Sequence, residues 1–518
     1  MSKILFNRVL TLALLLCMLC TGVMAEVTYP IQTDDNELSF WLPIQPIASK
    51  YMGSYNEHMI YGLISENTGM KVDFQNCSPA DAATQLGLVI VSEDLPDIMQ
   101  IRGLYPGGAS TGVSEGIFLD LTDYLPEYAP DYWAAIRSSD LCWRLATDEN
   151  GRVSAFYTVK ITAPAFVRLN VLQEMLDEHS LAVPQTLAEY ETIFANLKEK
   201  GIYGMHLNAN GRSEMLMWPF GITNGWGLDE TGKVEFGMYT EAYREYLTMM
   251  NDWYTKGYIY KDFMSTMSDA ERRALLTNKV VFMLQEPVDL AHSACFASGL
   301  TSVPLPYVRK ELGQSLHFES TYNTYVPETN FATTVITKDC DNVEEAVMYL
   351  NYCYTQEGAD LCNWGVKDVH YTVDANGVKH FTDVMLNNPD MPLGDVQMNY
   401  KIHMQAKLSE ADVVCNPNVV SNEESLAKRM LYSDDPTIDN AQVLPSFSFT
   451  AEASEERSNI MSDINTYVDE MTLKFITGVT PLSEFDNYMA QLKAMGIEDA
   501  IAITQQQYDA FMSKPGLE

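Results

Sequence analysis

Short apolar runs and helical periods alternate along the first part of the chain. Three apolar runs predict strands, and two segments with apolar residues every three or four positions predict helices. These elements follow one another as strand 38–42, helix 54–67, strand 70–74, helix 79–92 and strand 97–101. Gly69 is typical of a helix end, and Ser78 followed by Pro79 is typical of a helix start. This order predicts a parallel sheet with right-handed crossovers, whose ligands would lie beyond the carboxyl ends of the strands.

The rest of the chain carries a second set of predicted elements. An extended segment at 152–160 predicts a crossing from a first lobe into a second, and 331–336 predicts the return. Helices are predicted at 169–179, 187–200, 241–256 and 343–356, with a buried strand at 280–284. Asp-rich turns at 148–151 and 229–232 predict hairpins, because neither has the alternating oxygen ligands of a complete calcium loop.

The N-terminus has the three parts of an export signal. Lys3 and Arg8 provide a positive start, 9–19 is apolar, and Val23-Met24-Ala25 is a small-residue cleavage site. The apolar run is shorter than a comfortable membrane span. We therefore predict that 1–25 is a signal peptide and that the protein is exported.

Charge and cysteine content narrow the function classes. After residue 25 the chain has 31 basic and 70 acidic residues, a net charge of −39, which argues against nucleic acid and anionic membranes as partners. The seven cysteines there are scattered and odd in number, so they form no disulfide framework, although a Cys353–Cys362 bridge stays open. None of the seven forms a C-x-x-C pair, so a zinc ribbon is not expected.

One motif resembles the sequence pattern of a known protein family. Asn363-Trp-Gly, then Tyr371 and an Asp-Ala-Asn-Gly turn ending at Gly377, resemble the pattern N-W-G-x-E-G-x-x-Y-x-x-D-x-x-G. That pattern belongs to bacterial extracellular solute-binding proteins of family 1, the capture subunits of carbohydrate-type ABC importers. The chain departs from it with Lys367 in place of Glu and Asp368 in place of Gly.

Further segments resemble the same family in family order. They are Asp94-Leu-Pro-Asp-Ile98, then Val183-Pro-Gln-Thr-Leu-Ala-Glu-Tyr190, then Gly478–Phe485 with Tyr488, Leu492 and Gly496. The resemblance implies an α/β fold of the periplasmic-binding-protein type 2, with two mixed sheets flanked by helices and joined by extended hinge segments. We accordingly expect lobe one at 26–157 and 305–370, and lobe two at 158–304 and 371–518.

The resemblance also implies a function without catalysis or cofactor. A carbohydrate, either a mono- or an oligosaccharide, would bind between the lobes of a monomer, and closure would be recognised by a membrane ABC permease. Family members often carry a lipid anchor, but Leu16 before Cys17 and Leu19 before Cys20 make a poor lipobox, so we expect cleavage after Ala25 and release. A surface sensor or adhesion protein on the same fold and a secreted glycan-active enzyme are the alternatives.

Candidate ligand residues follow from the chemistry of sugars, which need flat aromatic faces and planar polar groups. Tryptophans 133, 143 and 253 lie in helix-like surroundings and are expected in the core, whereas glycine-bearing loops are expected to expose Trp218, Trp226 and Trp364. Arg102 would also suit an acidic ligand, because a guanidinium matches a carboxylate bidentately. No metal site is expected. The candidates at predicted strand ends and loops are Trp41, Gln45, Arg102, Trp218, Trp226, Glu286, Tyr325, Trp364 and Phe449.

Enzyme motifs are weak in this chain. Gly108-Ala-Ser-Thr-Gly112 fits G-x-S-x-G, but a nucleophile elbow needs a strand directly before it and a helix directly after, whereas an irregular loop is expected here. Paired carboxylates for glycoside hydrolysis stay open among 70 acids, since such pairing is spatial. No zincin, Walker or dinucleotide glycine motif occurs.

Overall fold

Two mixed sheets organise the protein, as seen in a computed structural model that describes residues 27–92, 94–161, 167–318, 325–328, 332–403, 405–410, 427–428, 431–432, 435–447 and 449–517. The strands are β1 (Glu37–Trp41), β2 (Lys71–Gln75), β3 (Ile98–Gln100), β4 (Thr158–Ile161), β5 (Val167–Leu172), β6 (Tyr203–Met205), β7 (Trp226–Leu228), β8 (Val234–Phe236), β9 (Val281–Pro287), β10 (Ser302–Pro304), β11 (Leu316–His317), β12 (Tyr325–Glu328), β13 (Thr334–Ile336), β14 (Tyr371–Val373), β15 (Lys379–Phe381), β16 (Leu408–Ser409) and β17 (Ile438–Asp439). The predicted signal peptide and Cys415 lie outside the described residues.

Helices flank these strands throughout the described part of the chain. They are α1 (Met59–Thr68), α2 (Ala82–Ser92), α3 (Gly108–Ser114), α4 (Leu125–Tyr128), α5 (Pro130–Ile136), α6 (Asp140–Ala146), α7 (Gln173–Glu178), α8 (Leu187–Lys198), α9 (Glu214–Met217), α10 (Glu241–Thr255), α11 (Asp269–Thr277), α12 (Val288–Ala297), α13 (Val343–Tyr352), α14 (Gln356–Trp364), α15 (Asp383–Leu386), α16 (Leu393–Tyr400), α17 (Ala451–Thr477), α18 (Phe485–Ala494) and α19 (Ile497–Met512). Within these residues, none of the helices has the length and apolar character needed to cross a bilayer.

The first sheet has the order β13-β3-β1-β2. β1 pairs in parallel with both β2 and β3, as the alternation of strands and helices predicted, and β13 adds an antiparallel edge. Its buried residues, with those of the surrounding helices, form the first core, which includes Phe40, Ile98, Val335, Ile402 and Ala406. Burial of such side chains supplies the main stabilising term, at roughly 25 cal/mol per Å² of apolar surface.

The second sheet has the order β10-β5-β9-β6. β5 is antiparallel to β9 and β10, whereas β6 is parallel to β9. The second core forms around it and includes Val171, Trp253, Phe282 and Ile464, so α17 packs here. The predicted fold class is confirmed, while the predicted lobe boundaries stay a prediction.

A small three-stranded sheet links the two cores, and we call it the connecting sheet. β4 is its central strand, antiparallel to β12 and parallel to β16. The extended segment predicted at 152–160 therefore ends in a strand that leads from the first core toward β5. Helix α14 supports β16 from behind, since the Asn363 amide donates to the carbonyl of Leu408 at 2.9 Å.

The prediction of a helix over 169–179 is wrong for its first part. Residues 167–172 form the interior strand β5, and only Gln173–Glu178 is helical. Leu169 to Leu172 are all buried, since the strand is covered on both faces. Such a strand shows no period of two, and its apolar run resembles that of a buried helix.

Other predicted elements shift at their ends. Helix α2 begins at Ala82 rather than Pro79, because the Ser78 hydroxyl instead closes a turn with the backbone N–H of Asp81. The helix predicted at 343–356 divides into α13 and α14, where Thr355 caps the second helix. Helices α8 and α10 match their predictions closely, and α8 begins with the reciprocal cap of Thr186 and Glu189. Helix α1 ends as predicted but begins at Met59 rather than at residue 54, because residues 55–57 form a separate 3-10 turn.

The family-like motif folds as a helix end followed by a hairpin. Asn363 and Trp364 end α14 rather than lying in a loop, while Tyr371 opens the predicted hairpin β14–β15. Asp368, where the family pattern has Gly, has a φ of 63°. This left-handed conformation favours glycine and is tolerated by Asp, which explains the usual residue at that position.

The described cysteines form no disulfide framework. The six described cysteines are free thiols and all but Cys77 are buried. Cys353 and Cys362 interact with each other inside the first core, and Gln405 donates to the sulfur of Cys353 at 3.1 Å. The pair is therefore adjacent but not bridged in this structure.

The turn between α13 and α14 depends on Gly358. A Cβ added there would lie 1.8 Å from the carbonyl oxygen of Tyr352, so Gly358→Ala must displace backbone. We expect a loss of at least ~2 kcal/mol in the free energy of unfolding, measured by urea denaturation. Gly87→Ala is the control, because its Cβ would meet nothing within 4 Å in helix α2. Equal stability of the two variants would contradict this account of the turn.

Candidate functional site

The carboxyl ends of the first sheet face the connecting sheet. β1 and β3 end there, and Phe156, just before β4, bridges to Thr334 at the start of β13. Of the predicted residues at this edge, Trp41 is buried in the first core, whereas Gln45 and Arg102 are half-buried. Arg102 has a φ of 50°, so the chain turns sharply where the strand ends.

The corresponding edge of the second sheet carries an ionic cluster. Glu286 near the end of β9 is buried and pairs with Arg272 and Arg273 of α11, at 2.7 and 2.8 Å between Nη1 and the carboxylate oxygens. Burial raises the pKa of the Glu286 carboxyl, although the two guanidinium groups oppose that change. Glu286 therefore holds α11 against the sheet, a role that the strand-end position alone does not reveal.

Arg168 lies opposite Glu286 in the antiparallel register of β5 and β9. Its buried guanidinium donates to the carbonyl of Leu305 at 2.5 Å and lies 4.0 Å from the ring centroid of Tyr307. Tyr307 in turn packs on Phe318. This arrangement compensates a buried cation with carbonyl oxygens and an aromatic face rather than with a carboxylate.

Trp218 extends this aromatic group. Its ring stacks on Phe318 with centroids 3.8 Å apart and an interplanar angle of 6°. Phe318 covers one face of the indole, and the side chain as a whole is half-buried. Trp218 is therefore partly available at the surface, as the sequence predicted.

Trp226 and Phe449 lie on either side of one cation. The Arg457 guanidinium carbon is 5.2 Å from the ring centroid of Trp226 and 4.3 Å from that of Phe449. Both aromatic side chains are half-buried, so each keeps exposed surface. The structure thus brings two predicted residues together through an arginine that the sequence analysis did not single out.

A cavity of about 310 Å³ opens beside this group, and we call it the Arg457 pocket. It is lined by Trp226, Arg457, Ser458, Met461, Ser462 and Asn465. All but Trp226 come from one face of α17, where spacings of three and four residues recur. The spacing of these residues is visible in the sequence. It does not indicate a site by itself, because a long polar face of a helix is commonly only exposed to solvent.

Helix α17 also contacts the loop that follows β6 of the second sheet. Arg212 lies in the loop that follows β6, and its guanidinium is 2.7 Å from the Asp469 carboxylate of α17. Asp469 is one helical turn beyond Asn465, which lines the pocket. The loop at the carboxyl end of β6 therefore lies next to the same helix.

The backbone around Trp226 is closely packed. The N–H of Gly237 donates to the carbonyl of Gly225 at 2.7 Å. A Cβ at Gly237 would lie 2.2 Å from the carbonyl oxygen of Thr223. The loop before Trp226 can therefore approach the hairpin β7–β8 only because position 237 has no side chain.

The two other predicted aromatic candidates lie elsewhere. Trp364 is buried, donates from Nε1 to Glu410 at 2.9 Å and packs on Phe381 with centroids 4.6 Å apart. The expectation that a glycine-bearing loop exposes Trp364 is therefore wrong, because the residue ends a packed helix. Tyr325 begins β12, opposite Ile161 of β4, in the connecting sheet.

The serine motif does not form a hydrolase site. Residues 108–114 form helix α3 rather than the expected loop, and β3 ends at Gln100, so Ser110 does not follow a strand directly. Ser154 donates to Ser110 at 3.4 Å between the hydroxyls.

Among the described residues, no cluster of three or more acidic, histidine or cysteine side chains has the arrangement of a metal site. Asp148 and Asp229 accept backbone N–H groups of their own turns. The hairpin predicted at 229–232 is confirmed, because it joins the antiparallel strands β7 and β8. The prediction of a hairpin at 148–151 is wrong, because that turn follows helix α6 and is flanked by no strand pair among the described residues.

Comparison with known proteins identifies the fold. No protein-family profile matches the chain. The fructooligosaccharide ABC transporter substrate-binding protein FusA of Streptococcus pneumoniae is 20% identical over 94% of this chain and 92% of its own. An HMO-binding solute-binding protein from Bifidobacterium longum infantis superimposes with a TM-score of 0.70 at 15% identity, over 93% of this chain and all of that one. The chain has the fold of ABC-importer solute-binding proteins.

A second solved structure agrees with this fold. The alginate-binding protein AlgQ2 superimposes with a TM-score of 0.61 at 18% identity, covering 93% of this chain and the whole of AlgQ2. The resemblance that the motifs predicted is therefore confirmed. These relatives are substrate-binding proteins rather than enzymes.

His206, directly after β6, makes stability at this edge depend on pH. Burial, together with the charge of Arg272, lowers the pKa of its imidazole to about 4. In the unfolded chain the group titrates near its usual pKa of about 6.5, so between these values the unfolded state binds more protons. We expect the free energy of unfolding to fall between pH 7 and pH 5 by about 1–2 kcal/mol more in the native protein than in a His206→Gln variant. Urea unfolding of both proteins at the two pH values measures this difference.

The control for this measurement is His206→Asn, a second replacement without a titrating imidazole. That variant is expected to show the same reduced pH dependence as His206→Gln. An unchanged pH dependence in His206→Gln would mean that the imidazole is protonated in the folded state.

Proposed function

We propose that this protein is the exported capture subunit of an ABC importer and that it binds a carbohydrate between two lobes built on its two cores. The observation that carries the proposal is the Arg457 pocket in a chain with the solute-binding fold: an aromatic face, a guanidinium and small polar groups line one cavity. Aromatic rings cover the apolar faces of sugars, and planar polar groups bind the hydroxyls.

The relatives support the same class of ligand. FusA is a fructooligosaccharide-binding subunit by name and has been solved with kestose, and the B. longum infantis protein is described as HMO-binding. We propose an oligosaccharide for this chain as well, held by Trp226 and Arg457 on the side of the second core. Gln45 and Arg102 are the candidates on the first core, since they are half-buried where strands β1 and β3 end.

Closure would follow from the way the chain crosses between the cores. β4, β12 and β16 form a narrow connecting sheet, while each core has its own buried side chains. A ligand that contacts both cores stabilises the closed arrangement by its difference in affinity for the two states. The membrane permease would then recognise that closed form. We propose no catalytic step, and we propose release after cleavage at Ala25 rather than lipid anchoring.

A thermal-shift screen tests the ligand class. The mature chain is heated with mono- and oligosaccharides, and short peptides and acidic metabolites serve as controls. A ligand that binds only the folded state raises the Tm, since it adds about 2.7 kcal/mol of stability at a hundred times its Kd. We expect a saturable rise with one glycan class and no consumption of that glycan. A rise with a peptide or metabolite alone would overturn the carbohydrate assignment, and turnover of the glycan would favour the enzyme alternative.

Trp226→Ala tests the pocket itself. Loss of the aromatic face is expected to weaken binding of the active glycan by at least about ten-fold, measured by calorimetry. Trp133→Ala is a matched control, because Arg137 lies 5.0 Å over the Trp133 ring and that ring packs against the first core, away from the pocket. Equal affinity of the two variants would place the ligand elsewhere.

A further inference from the structure

Unlike most arginines of this acidic protein, Arg457 has no carboxylate partner among the described residues. Seven described arginines pair with a carboxylate within 4 Å: Arg144, Arg152, Arg212, Arg244, Arg272, Arg273 and Arg309. Arg457 has no such pair within the part of the chain that the structure describes, and its N–H groups donate no hydrogen bond there. Arg168 also has no carboxylate partner among these residues, but its N–H groups donate to backbone carbonyl oxygens, whereas those of Arg457 do not.

The surroundings of Arg457 partly shield its side chain from water. The side chain is half-buried between the rings of Trp226 and Phe449, and burial alone lowers the pKa of its guanidinium. Removing a cation from water without an opposite charge is unfavourable, and cation–π contacts compensate only part of that cost. A guanidinium also has five N–H donors in a fixed planar fork. Those donors remain available at the wall of an open cavity.

The rest of the pocket wall suits a sugar that carries an anionic group. Trp226 offers a ring face, and the exposed side chains of Ser458, Ser462 and Asn465 offer hydroxyl and amide groups along one side of α17. The volume of about 310 Å³ lies at the small end of the range for ligand pockets, roughly 300–1,000 Å³, which suits one sugar residue at the end of a longer chain.

We infer that the Arg457 pocket recognises the carboxylate of an acidic sugar residue, so that the captured glycan contains a uronic or sialic acid. The guanidinium binds the carboxylate through two parallel N–H···O hydrogen bonds, and Trp226 covers the face of the same ring. This inference rests on the proposed function, because it names the class of glycan that the capture subunit takes.

The opposing interpretation is that Arg457 is only a structural clip. It would hold the loop before α17, through Phe449, against the hairpin that carries Trp226. A clip makes binding insensitive to the charge of the sugar, and its loss lowers the Tm. A recognition group makes binding depend on the carboxylate, whether or not the Tm changes. Measurements of affinity for charged and neutral forms of one glycan separate the two.

The experiment compares matched glycans on matched variants. Oligomers of hexuronic acids and their methyl esters form one set of probes, and sialyllactose with lactose forms another. Calorimetric titrations use the mature protein, Arg457→Gln, Arg457→Lys and the control Arg137→Gln, which removes a guanidinium stacked on Trp133 and Trp143 in the first core. The Tm of each variant without ligand is recorded alongside.

We expect at least one carboxylated glycan to bind about ten-fold or more tightly than its neutral counterpart. Arg457→Gln should remove that preference, Arg457→Lys should keep part of it because the charge remains without the planar fork, and Arg137→Gln should keep all of it. Equal affinity for charged and neutral glycans, or an unchanged preference in Arg457→Gln, overturns the inference and leaves the capture function standing. A protein that binds no glycan of any charge overturns the proposed function, and the inference with it.

Discussion

Backbone hydrogen bonds in the connecting sheet hold the two halves of this protein in a defined relation. β4 leaves the first core and leads to the second, and it is fixed on one side by β12 and on the other by β16. β16 has its own support, because the N–H of Leu408 donates to the carbonyl of Cys353 at 3.1 Å and Asn363 donates to Leu408. The crossing is therefore anchored on helix α14, deep in the first core. A motion between the halves must act on these strands and on the segment after α19, where the ammonium group of Lys514 donates to the carbonyl of Arg144 in α6 at 2.9 Å.

Electrostatics sets a second constraint on an acidic chain. Its buried or half-buried cations are compensated in different ways: Arg272 and Arg273 share one carboxylate, and Arg168 uses carbonyl oxygens and the Tyr307 ring. Arg457 lies between two aromatic rings, and an aromatic face compensates a cation less fully than a carboxylate does. The cavity and the polar face of α17 lie at that position.

The motif that best identified the family is a structural element in this protein. Trp364 packs against Phe381 and donates to Glu410, and Lys379 pairs with that same carboxylate and with Asp360. Asp368 adopts the left-handed backbone conformation at the position where the family pattern has glycine. A motif can therefore report the fold without reporting the ligand. The pocket residues lie instead on a long helix whose exposed serines and asparagine carry no distinctive local pattern.

The sequence by itself determined the local elements and the fold class. Capping residues and periods placed α8, α10 and the end of α1, the alternation at the N-terminus placed the parallel strands, and four motifs in order indicated the two-lobed architecture. These features depend on neighbours along the chain, so a linear pattern contains them. The tertiary structure alone decided that residues 167–172 form an interior strand, that Trp364 is buried and that Arg457 lies between Trp226 and Phe449. Burial on both faces leaves β5 without a period of two, and the burial of Trp364 depends on Phe381 and Glu410. Trp226 lies more than two hundred residues from Arg457, so only the folded chain could reveal these features.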